Sequence, residues 1–116
     1  PTTIVSGSVL GIQATTGLAV LATTEVIGIA LSTPTTTQVK TLTASGVSVP
    51  VKFASAPTSS AQIGSTVYLS TTAGQATMTA PVTGSVYKLG TLLSSTDLGN
   101  GQYTIMFMPV KVADLL

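Results

Sequence analysis

Cysteine, histidine, arginine and tryptophan are all absent from this chain, and charged residues make up only 6% of it. Without cysteine there is no disulfide, no thiolate metal site and no thiol nucleophile. Lacking histidine as well, the chain has no side chain that ordinarily titrates near neutrality, so Ser-His-Asp and Cys-His chemistry is excluded. The three acids, Glu25, Asp97 and Asp114, are far apart in sequence and read as surface or capping residues rather than a catalytic carboxylate pair. The four cations, Lys40, Lys52, Lys88 and Lys111, are equally scattered, which argues against nucleic-acid binding, where phosphate contacts need clustered positive charge. An ordinary soluble domain carries about 25% charged residues. A surface so poor in charge must be built of threonine, serine, glycine and small apolar groups, which can pack against a neighbouring subunit without stranding desolvated ions.

The 116 residues suit one domain, residues 1–116, able to bury roughly two thirds of the surface its unfolded chain exposes. Between Ile4 and Leu31 there is a single charge, Glu25. Polar interruptions at Ser6-Gly7-Ser8, Gln13, Thr15-Thr16-Gly17 and Thr23-Thr24 divide that apolar stretch into strand-sized pieces. It therefore reads neither as a membrane span nor, with no basic residue ahead of it, as a signal peptide.

Periodicity gives an all-β, barrel- or sandwich-like domain of antiparallel hairpins with little or no helix. Strands are expected over Ile4–Leu10, Leu18–Ala22 and Val26–Leu31; in the last, Ile27, Ile29 and Leu31 share one face, while the Gly28 face is small enough for another backbone to lie close. Gln38–Ala44 and Val47–Ala54 read as a hairpin about Ser45-Gly46, with Val49, Val51 and Phe53 inward, and Pro50 confining that strand to an edge. Val67 and Leu69 alternate with polar residues, Thr71-Thr72-Ala73-Gly74 makes a turn, and Ala76–Ala80 resumes the two-residue period. Pro81 and Gly84 mark a corner before a strand over Ser85–Leu93, Gly84 supplying a positive φ. Leu98-Gly99-Asn100-Gly101 reads as a further turn, and Tyr103, Ile105 and Phe107 form the inward face of the last strand. Pro109 then leads into a tail.

A faint duplication links VIGIALS from Val26 with YKLGTLLS from Tyr87, through Gly28 and Gly90, and VPVKF from Val49 with MPVKV from Met108, through Lys52 and Lys111. It predicts two similar β motifs. Two small-ligand readings are weaker than their structural counterparts. Asp97 and Asn100 offer one carboxylate to a calcium ion that wants six or more oxygens. Tyr68, Tyr87 and Tyr103 could join a carbohydrate platform, yet without tryptophan they read better as core or interface residues. No cofactor or metal site is expected, and the chain reads as no enzyme.

The segments G-S-T-V-Y-L-S at Gly64–Ser70, G-Q-A-T-M-T-A-P at Gly74–Pro81 and G-S-V-Y-K-L-G at Gly84–Gly90, with the closing strand Tyr103–Pro109, resemble the capsid decoration, or cement, proteins of tailed bacteriophages. The likeness covers the second half of the chain well and the first half in general character. It implies a virion protein on the outer capsid surface, commonly a homotrimer at local three-fold positions, that bridges major capsid protein subunits against internal DNA pressure. No nucleic acid or membrane partner follows from it. Phage tail-fibre, head-fibre and receptor-binding modules share similar hairpins and form the alternative; a pilus-like adhesion domain is a further rival. For the capsid or neighbour contact the apolar chain ends are the candidates: Pro1, Thr2, Thr3, Ile4 and Val5 in an arm of residues 1–5, and Val110, Val112, Leu115 and Leu116 in a tail of residues 110–116.

Overall fold

A computed structural model describes residues 4–13, 16, 18–23, 26–33, 41–57, 62–81, 84–99 and 101–115. Among them the strands are, in order, β1 (Val9–Ile12), β2 (Ala19–Leu21), β3 (Gly28–Ala30), β4 (Thr41–Leu42), β5 (Val47–Lys52), β6 (Thr66–Leu69), β7 (Ala76–Thr77), β8 (Gly84–Leu92) and β9 (Gln102–Leu115). They form two antiparallel sheets, one ordered β2-β1-β3-β4 and the other β5-β9-β8-β6-β7. The result is the expected all-β domain, sandwich-like and not a closed barrel. Among the described residues a parallel bridge from Phe53, just past β5, to Ala76 of β7 links the second sheet's two edges.

One core joins the sheets. Val9 and Ile29 from the first meet Val49, Val51, Phe53, Val67, Leu69, Leu89, Leu92, Ile105 and Phe107 from the second, and the inward alternation read for β5, β6 and β9 is borne out. Phe53 and Tyr103 pack edge to face at 5.4 Å. On its other side the first sheet covers a smaller cluster, Ile4, Leu10 and Ala30, with Leu21 and Ile27 against it, so β1 is apolar on both faces because both are covered. Ile27 and Ile29 thus serve different clusters. Strict alternation across Val26–Leu31 fails because Ile27 donates its amide to the Leu10 carbonyl while Leu10 is already the register partner of Gly28, setting two residues against one.

The duplication is visible in the backbone. Sheet orders β2-β1-β3-β4 and β7-β6-β8-β9 are the same motif, and their registers coincide. Gly11↔Val20 and Ile12↔Ala19 match Tyr68↔Thr77 and Leu69↔Ala76; Val9↔Ile29 and Leu10↔Gly28 match Thr66↔Thr91 and Val67↔Gly90. Turn bonds repeat too. Gly7 N donates to Ala30 O and Ser8 N to Val5 O; in the second half Gly64 N donates to Leu92 O and Ser65 N to Gln62 O. Gly7 and Gly64 both have positive φ, 88° and 92°.

The lysine half of the predicted repeat does not hold. Lys52 on β5 pairs with Gln102, whereas Lys111 on β9 pairs with Tyr87. The expected hairpin about Gly46 is likewise absent: β4 belongs to the first sheet beside β3, and β5 crosses to the second beside β9. There it is the edge strand, the position its Pro50 demands. Ile4–Leu10 is no single strand, because Ser8 turns the chain: its Oγ accepts from Val5 N at 3.0 Å. Gly84 opens β8 in register with Leu115 rather than forming a corner.

β9 runs on through Pro109 to Leu115, so the segment read as a tail is the distal half of a strand. Between Phe107↔Gly90 and Val110↔Lys88 the register shifts, and Met108-Pro109 sit there opposite Leu89. A missing amide is tolerated at such a bulge.

Candidate interaction surface

The face of the second sheet turned away from the core follows from the alternation of β9. Tyr103, Ile105 and Phe107 point in, so Thr104 and Met106 point out, and past the bulge Met108 and Val110 are 50% and 55% exposed. Register carries this face across the sheet: Met106 lies beside Ser48 and Thr91, Thr104 beside Pro50, and Val110 beside Lys88, which adjoins Tyr68. Cross-strand partners share a face. The surface so assembled is hydroxyl and apolar, with Lys88 and Lys52 as its cations. Leu31 and Leu93, equivalent in the two repeats, are exposed just beyond β3 and β8, and Leu98 protrudes from the β8–β9 loop.

At the end of this face, where β5 finishes and β9 begins, lies an open cleft of about 370 Å³ lined by Val5, Ser6, Thr33, Lys52 and Gln102. Lys52 N donates to Gly7 O, Gln102 Nε2 donates to Ser6 O at 2.8 Å, and Ser6 N donates to Thr33 Oγ1 at 3.0 Å. These bonds tie the start of the chain and the loop after β3 to the second sheet. A Cβ on Gly7 would meet the Gln102 side chain, whereas one on Gly64 would meet nothing. The cleft therefore departs from the repeat.

The sequence-predicted contact residues are dispersed. Pro1, Thr2, Thr3 and Leu116 lie outside the described residues. Ile4 is 5% exposed and belongs to the domain's own second cluster. Val5 is half-buried at the cleft, Val110 is exposed on β9, and Val112 and Leu115 fall in the distal strand. None of Met108, Lys52, Gln102, Thr33 and Ser6 is among the contact residues read from the chain ends. Opposite parity to Ile105 and Phe107 marks the outward face of β9, but Lys52 and Gln102 meet across a ladder whose strands are remote in sequence.

The small-ligand readings gain nothing. Asp97 Oδ1 accepts the Gly99 amide at 2.7 Å, holding the turn that Leu98 N to Gln102 O closes. Tyr103 is core, and Tyr68 and Tyr87 are half-buried. Among the described residues no three of His, Cys, Asp and Glu come together, and no helix is long and apolar enough to cross a membrane. No family model matches the chain, and neither a curated protein nor a solved structure is significantly similar to it.

Proposed function

We propose that this chain is a structural virion protein that binds the outside of a tailed-phage capsid and bridges major capsid protein subunits, as a homotrimer at local three-fold positions. The observation that carries this reading is the outer face of the second sheet, where Met108 and Val110 are about half exposed among threonine and serine on a chain that is only 6% charged. A face of that kind loses little on desolvation when a subunit covers it. Such a protein needs no catalytic group. It needs modest contacts repeated by symmetry, whose affinities combine across a lattice.

The test is co-sedimentation of the purified chain with expanded tailed-phage shells that lack it, at low and high salt, counting copies per capsid subunit. Saturable binding at a fixed ratio that changes little with salt is expected, since few charges take part. Binding to host cells and not to shells would instead favour a tail-fibre or receptor-binding module.

A further inference from the structure

We propose that the cleft between Ser6, Thr33, Lys52 and Gln102 is a carboxylate-binding site. Its wall gathers hydrogen-bond donors that the other described residues leave unused. The ammonium of Lys52 has no hydrogen bond or ion pair with any described residue, although the side chain is half-buried. Thr33 Oγ1 accepts from Ser6 N, which leaves its own hydrogen to donate. Gln102 spends one N–H on Ser6 O and keeps the second. Val5 supplies an apolar wall against which a methylene stem can rest.

A carboxylate offers about four lone-pair directions and a single negative charge. One lysine with neutral donors matches that demand; a phosphate, with more charge, is usually met by several cations or an arginine fork, and the chain has no arginine. The Gln102 amide is held in place by its bond to Ser6 O. The Gln102 side chain lies over Gly7, where any Cβ would collide with it, so glycine at this point makes room for the amide that closes the cleft. Its counterpart Gly64 is uncovered, so the cleft is no by-product of the repeated motif.

The carboxylate can come from a free small acid or from an acidic side chain of a protein partner, and two experimental arms separate these. In the first, acetate, acetamide and chloride are titrated at constant ionic strength while the side-chain signals of Lys52 and Gln102 are followed by NMR. Saturable shifts with acetate alone are expected, weakened about tenfold in Lys52→Met by loss of a charge-assisted bond and retained in Lys52→Arg, with unfolding midpoints unchanged. Equal, unsaturable shifts with acetate and chloride, or an unaltered response in Lys52→Met, would overturn the site.

The second arm rests on the capsid reading and repeats the shell pelleting with Lys52→Met and with saturating acetate. Weakened pelleting in both identifies an acidic side chain of the shell as the occupant, and unchanged pelleting beside a positive first arm identifies a free acid. Should the unaltered chain not pellet at all, the capsid reading fails while the first arm still decides the site.

Discussion

Gly28 and Gly90 stand at the same point of two repeated motifs, each lying flat against a carbonyl oxygen of the next strand, that of Leu42 for one and of Met106 for the other. A Cβ at either position would overlap that oxygen, and backbone atoms cannot rotate away as a side chain can. Gly90 also has φ of 148°, a region that residues with a Cβ rarely adopt. Gly90→Ala is therefore expected to destabilise the domain by about 3 kcal/mol or more. Gly28→Ala should follow closely, from overlap alone. Gly46 has positive φ but open space around it, so Gly46→Ala should cost only about 1 kcal/mol. Urea denaturation of the three variants checks the order, and a Gly90→Ala protein as stable as Gly46→Ala would contradict the close approach.

Much of this was legible in the chain, because it rests on local chemistry. Turn residues placed the β6–β7 hairpin, alternation found the buried faces of β5 and β9, and the small face at Gly28 announced a close neighbour. Long-range pairing left no such trace. The Ser45-Gly46 turn looks like a hairpin, but it redirects β5 into the other sheet, to a partner strand that begins at Gln102. Pro109 looked like a strand end because a missing amide normally breaks a ladder, and only the bulge opposite Leu89 makes it harmless. The cleft depends on the first of these, since it forms where β5 arrives beside the start of β9.

Alternation on β9 sets up a sharp contrast between adjacent residues. Phe107 is fully buried in the shared core and Met108 is half exposed. Phe107→Ala should cost about 3–5 kcal/mol through lost burial and the cavity left behind, while Met108→Ala should stay within about 0.5 kcal/mol. Thermal unfolding of both variants measures this, and comparable losses would mean that the strand faces are assigned the wrong way round.

The two halves of β9 differ in support. Its first residues, as far as Phe107, pair with β5 on one side and, from Ile105 on, with β8 on the other, whereas from Val110 onward only β8 is paired with it among the described residues. Local opening is easier where fewer bonds and buried contacts must be given up together. Amide hydrogen exchange is expected to be slowest from Tyr103 to Phe107 and clearly faster from Val110 to Leu115. Uniform protection along the strand in the isolated monomer would show that the distal half has a second partner.

The contact residues inferred from the chain ends divide into two physical kinds, and substitution by aspartate separates them. Ile4 is packed with Leu10 and Ala30 in the second cluster, where a carboxylate would be stripped of water with no cation among its apolar neighbours. Ile4→Asp is therefore expected to cost several kcal/mol and to lower the unfolding midpoint sharply. Any loss of shell binding in that variant would be a consequence of unfolding. Val110 is 55% exposed on the outward face of β9, so an aspartate there keeps its hydration in the free subunit and should leave the midpoint nearly unchanged. In a covered interface the same charge must be desolvated, and binding should fall about tenfold or more. Met108→Asp should behave in the same way from the neighbouring exposed position. Unfolding scans identify which variants remain folded, and pelleting with shells reads the binding. If Val110→Asp and Met108→Asp both stay folded and both bind as tightly as the unaltered chain, the outer face of the second sheet is not the surface that meets the capsid, and the contact must be sought on another face.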